Sequence, residues 1–114
     1  MGTNYYIKKK NGGYKDIIHI GKSSAGWKFL FQSVPDYENY FDKTSLDTFD
    51  AWKTFLEKYV GYGKLGKKAV ILDEYDREIS LKEFLDMVDK KQSEPNIGNA
   101  RLRDEYRFTG DIFY

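Results

Sequence analysis

The chain has no cysteine, only two prolines and a single histidine. Without thiols it forms no disulfide, zinc–thiolate site, iron–sulfur cluster or thiol nucleophile, and a reducing compartment is the simpler expectation. A lone His cannot build a metal site without carboxylate company. No stretch approaches the roughly 18 apolar residues that span a bilayer, and residues 1–6 lack the apolar run of a signal peptide. Gly2 opens a myristoylation-like pattern, but that pattern wants Ser or Thr at position 6, where Tyr6 stands. An excess of one charge is missing too: 19 Lys and Arg face 18 Asp and Glu, a net charge of +1. Dedicated duplex-DNA binders are far more basic, so duplex nucleic acid is not an expected partner. The expectation is a cytoplasmic chain with no cofactor, no metal and no membrane anchor.

What is present is aromatic surface. Ten Tyr, eight Phe and two Trp make up 18% of the 114 residues, so a few large rings can build the core of one domain, residues 1–114. Charge is unevenly placed. Residues 1–34 carry six lysines and one aspartate, whereas residues 35–60 carry three lysines against six acids. An anion-binding face in the first third and an acidic face in the second are both consistent with this distribution.

Residues 4–10 read as a strand, Asn11-Gly12-Gly13 as a hairpin turn, and residues 14–20 as the return strand. Gly21-Lys22-Ser23-Ser24-Ala25-Gly26 reads as a loop. Trp27, Phe29 and Phe31 against Lys28 have strand alternation, which completes a three-stranded meander. The acidic stretch 35–43 has no regular pattern. Phe49, Trp52, Leu56 and Tyr59, with Phe55 and Val60 beside them, predict a helix capped by Thr44 or Ser45 and ended by Gly61 and Gly63. Residues 69–72 predict a buried strand. Ser80 with Glu83 forms a capping box, and Leu81, Phe84, Leu85 and Val88 give the stripe of a second helix. Residues 106–114 predict a terminal hairpin, and its apolar end leaves a homodimer edge open. The fold class that follows is α+β: an antiparallel sheet of about four to six strands with two amphipathic helices packed on one face.

Four constellations could carry chemistry. Gly21-Lys22-Ser23-Ser24 resembles the end of a P-loop, but Asp16 stands where that motif needs Gly, and an aromatic strand follows instead of a helix. Small residues and a lysine can still form a nest for an anion. His19 faces away from Ile18 and Ile20 and could act as a base only with Ser23, Ser24 or Asp16 in reach. Asp73, Glu74, Asp76 and Glu78 lack the spacing of a calcium loop and read as an acidic surface turn. Aromatics interleaved with lysines in the first third also suit stacking of a base and contact with phosphate.

The strings Met1-Gly2-Thr3-Asn4-Tyr5-Tyr6 and His19-Ile20-Gly21-Lys22-Ser23-Ser24-Ala25-Gly26-Trp27, with Phe29, resemble a family of small bacteriophage proteins of uncharacterised activity. Trp52, Phe55 and Leu56, then Ile71, Asp73, Glu74, Tyr75, Ile79, Ser80, Glu83 and Phe84, extend the similarity over roughly residues 1–90. Some members carry Cys pairs between the first two motifs, implying a metal-stapled knuckle; Asn11-Gly12-Gly13 stands there in this chain. The resemblance implies a phage origin, a host-cytoplasmic setting and a counter-defence role, without an activity. Three functional readings stay open. One is a non-enzymatic binder of an anionic small molecule or nucleotide through Tyr5, His19, Lys22, Ser23, Ser24 and Trp27. Another is an inhibitor of a host protein through the acidic 36–50 face. The third is a small hydrolase or nuclease centred on His19.

Overall fold

The computed structural model describes residues 2–10, 16–63, 68–92 and 106–110. In these residues the chain forms β1 (Gly2–Lys9), β2 (Ile17–Ser24), β3 (Leu30–Gln32), α1 (Phe49–Tyr59), β4 (Ala69–Asp73), β5 (Glu78–Ile79), α2 (Leu81–Lys91) and β6 (Arg107–Thr109). The strands make a six-stranded sheet in the order β5-β4-β1-β2-β3-β6. This is the expected α+β class, and β1, β2 and β3 lie side by side as the meander predicts. All pairs are antiparallel except β3 with β6. The proposed hairpin turn at 11–13 and the second arm of the proposed terminal hairpin lie outside the described residues.

Both helices cover one face of the sheet. Tyr5, Gly21 and Phe31 are in register across β1, β2 and β3, so they point to the same side. Phe84 of α2 packs edge-on against Tyr5, and Phe49 of α1 packs edge-on against Phe31. Ile7, Ile20, Phe29, Phe31, Trp52, Leu56, Ile71, Leu81 and Phe84 are essentially inaccessible to water. Burying each such side chain contributes about 1.5–3 kcal/mol, which makes this layer the main source of stability. Among the described residues, no helix is long and apolar enough to cross a membrane.

Several boundaries differ from the sequence expectation, each for a physical reason. Residues 21–24 are not a loop but the second half of β2. Gly21 is tolerated in a strand because Phe29 fills the space its side chain would take: a Cβ there would stand 2.5 Å from a ring carbon of Phe29. The turn follows instead at residues 24–27, where the Trp27 amide donates to the Ser24 carbonyl and Gly26 has φ +79°. The strand expected over residues 27–31 is confined to Leu30–Gln32, and Lys28 is buried like Phe29 while Trp27 is only half-buried.

Helix α1 starts at Phe49, later than Thr44 or Ser45 would place it, because Leu46 is fully buried and bridged to Val34 in extended conformation. Thr48 is the cap, its hydroxyl accepting from the Ala51 amide at 3.1 Å. Gly61 ends the helix in the left-handed region at φ +65°, while Gly63 has no such role. Ser80 caps α2, accepting the Glu83 amide at 3.1 Å, as the capping box predicts.

Candidate functional site

The face away from the helices carries the polar groups. A register shift between Tyr5 and Tyr6 pairs Tyr5 with Gly21 but Tyr6 with His19, leaving Ile20 as the extra residue of a β-bulge. Its consequence is a change of phase along β2. Ile18 and Ile20 stay buried on the helix side, while His19, Lys22 and Ser24 share the outer face. Strict alternation would have put His19 and Lys22 on opposite faces.

Asn4, Lys22, Leu30 and Arg107 are consecutive partners across β1, β2, β3 and β6, so they form one row on this outer face. At the end of that row, Lys22, Ser24, Trp27, Lys28, Leu30 and Arg107 line a cleft of about 230 Å³. The Arg107 guanidinium lies over the Trp27 ring, 4.5 Å from its centroid, a cation–π stack. Lys28 is only 3% exposed, so its ammonium is held in the protein wall and not splayed into solvent. Lys91, the last residue of α2, donates to the Ser24 carbonyl at 2.6 Å and ties the end of that helix to β2. Gly2, paired with Ser24, leaves room for the Lys22 stem: a Cβ there would lie 2.7 Å from Lys22 Cε.

His19 sits beside this row in a side-chain network. The Gln32 amide nitrogen donates to the Thr109 carbonyl at 3.3 Å and the Ser33 carbonyl at 3.4 Å, which turns Gln32 Oε1 towards His19 Nδ1 at 3.2 Å. Nδ1 therefore carries a proton. Nε2 stands 3.0 Å from Asn4 Oδ1, and the Tyr6 ring packs on the imidazole with centroids 5.1 Å apart. Burial, with a smaller contribution from Lys22, holds the imidazole below its ordinary pKa. In the neutral ring Nε2 is an acceptor, satisfied when the Asn4 amide turns its NH₂ inward; a protonated Nε2 would donate to Oδ1 instead. These amide partners position the ring, but they do not activate it as a carboxylate would.

Of the residues named from sequence, Lys22, Ser24 and Trp27 meet in the cleft. His19 lies next along the same face. Tyr5 belongs to the helix side, packed against Phe29 and Phe84, so it cannot stack a ligand beside Lys22. Ser23, between Lys22 and Ser24, faces the helix side as well. Lys28 and Arg107 complete the site. Lys28 was visible as a lysine among aromatics, whereas Arg107 depends on a pairing between segments far apart in sequence. In the acidic turn, the buried Asp73 carboxylate accepts from the Tyr75 amide (2.8 Å), the Arg77 amide (3.0 Å) and Arg77 Nε (2.8 Å). Burial pushes Asp73 up, yet these donors hold it below the usual carboxylate range. Glu74 accepts the Asn4 amide at 2.8 Å, which ties the turn to β1. Both roles are structural.

Comparison with protein-family models, with curated proteins and with solved structures finds no match for this chain.

Proposed function

We propose that the protein binds a small anionic ligand with a planar group, of the nucleotide class, in the cleft between β2, β3 and β6. One observation carries this reading: Lys22, Lys28 and Arg107, drawn from three separate segments, surround one cleft that also has an indole wall. Cations lining one cleft add their attraction for a phosphate bound there, and partial burial limits screening by salt. Trp27 supplies the stacking surface, and Arg107, already on the ring, can turn its guanidinium to the ligand's phosphate. In the phage setting that the sequence resemblance implies, such a binder would sequester a nucleotide signal.

The test is native mass spectrometry and calorimetry with a panel of linear and cyclic nucleotides. Binding that is lost in Lys22→Ala and Arg107→Ala, and kept in Trp27→Phe, is the expected result. A clean ligand-free mass after incubation with the whole panel overturns the reading.

A further inference from the structure

The segment between β3 and α1 is a second, independent surface. Val34 and Leu46 exchange both backbone hydrogen bonds, at 2.9 and 2.8 Å, and so close residues 35–45 into a compact loop with adjacent ends. A one-turn 3₁₀ helix (Asp36–Glu38) opens it. Asn39, fully buried, is its centre: the side-chain NH₂ donates to Asp42 (3.0 Å) and to the Thr44 carbonyl (2.8 Å), and Oδ1 accepts the Phe41 amide (3.0 Å). Phe41 anchors the loop on Phe55 and Tyr59 of α1. Asp42 is bonded by the Thr44 amide, the Tyr59 hydroxyl and Lys58.

This hydrogen-bonded frame leaves two rings outside: Tyr37 is 69% exposed and Tyr40 is 60% exposed. Exposed tyrosines on a backbone held by its own hydrogen bonds are the residue type enriched in protein interfaces, and a fixed frame lowers the ordering cost of binding. The loop also shows what its rings accept. The Lys43 ammonium lies 5.1 Å over the Tyr40 ring and donates to the Tyr37 carbonyl at 3.5 Å. Asp36 and Glu38, both exposed, flank Tyr37 in sequence, with Asp47 and Asp50 beyond. The nearby ammoniums are already engaged, Lys9 over Phe41, Lys43 over Tyr40 and Lys58 on Asp42, so the exposed Asp36 and Glu38 beside Tyr37 are the charges that would draw a further cation.

We propose that residues 36–47 dock a Lys- or Arg-rich segment of another protein. A partner cation packs on the Tyr37 ring as Lys43 does on Tyr40, and Asp36 and Glu38 pair with its neighbours. This surface uses no residue of the basic cleft, so the two bind opposite charges independently.

The experiment is a titration of the folded chain with a nona-lysine and a nona-arginine peptide, followed by amide chemical shifts, with nona-glutamate as control. The expected result is peptide-induced shifts centred on residues 36–43. Affinity should fall roughly tenfold in Tyr37→Ala combined with Tyr40→Ala, the scale of losing cation–π contacts at an interface. Asn39→Ala, which keeps the rings but loosens their frame, should also weaken binding. Asp86→Lys on α2 should not. No peptide binding, or an equal loss from Asp86→Lys, overturns the proposal. Concentration-dependent dimers broken by Lys22→Glu would overturn it too, assigning the loop to the basic cleft of a second copy.

Discussion

The two faces of the sheet are built from the same strands by different rules. On the helix side, Tyr5, Phe29, Phe31 and Phe84 form a chain of edge-on and tilted aromatic contacts, with centroids 4.7–5.9 Å apart. Order there comes from volume: rings fill space, and Gly21 is required because Phe29 already occupies its side-chain position. On the outer face, order comes from hydrogen bonds and charge, through Asn4, His19 and Gln32, then Lys22 and Arg107. The β-bulge at Ile20 joins the two, since it keeps isoleucines inward while re-aiming Lys22 outward. Stability should therefore reside on one face and binding on the other.

That division can be broken most forcefully from inside. Phe29→Ala removes a fully buried ring that touches Tyr5, Phe31 and Phe84, and should cost about 3–5 kcal/mol by urea unfolding. Gly21→Ala should cost about 1–3 kcal/mol, because the new methyl meets both the Phe29 ring and the Leu30 backbone carbonyl, and the latter cannot yield without opening the β2–β3 pairing. Thr48→Ala, which removes the α1 cap, should cost about 1 kcal/mol. By contrast, Lys22→Ala on the outer face should leave stability within about 0.5 kcal/mol while removing nucleotide binding. A large loss of stability from Lys22→Ala would mean that the outer row is structural.

Much of the inner face was legible in the sequence, because burial leaves a period. The stripe at Trp52, Phe55 and Leu56 and the one at Leu81, Phe84 and Val88 both lie on buried helix faces. Ser80 could be read as a cap because capping is local. Thr48 was missed because Leu46 was needed elsewhere, in a bridge to Val34 that no local pattern announces. The outer face was legible only in fragments. Lys22, Ser24 and Trp27 could be picked out as residue types, and alternation alone separates Lys22 and Ser24 from Ser23, but the bulge that brings His19 to the face of Lys22 has no periodic signature. Tyr5 was misplaced as a stacking residue for a related reason: an aromatic in a strand gives no sign of its face until the partners are known. Arg107 joins the site through a parallel pairing that spans most of the chain. The frame around Tyr37 and Tyr40 hangs on Asn39, a residue whose burial nothing in its polar neighbours foretold.

The smallest expected effect tests the polar side directly, through His19. The unfolded chain takes up a proton near the ordinary pKa of about 6.5, while burial keeps the folded imidazole neutral to lower pH. Between those two values the unfolded state binds more protons, so stability rises with pH there. The contribution is complete above about 6.5 and is lost as pH falls towards the folded pKa. Asp73 and Asp42, both held below the usual carboxylate range, lose theirs only at lower pH, below about 4, so the two losses begin in separate ranges. His19→Gln should therefore flatten the urea midpoint just below about pH 6.5, where the unfolded imidazole titrates, and leave the limb below about pH 4 unchanged. Parallel curves for the two proteins across that window would show that Asn4 and Gln32 accommodate the imidazolium as readily as the neutral ring, and that the outer network is indifferent to charge.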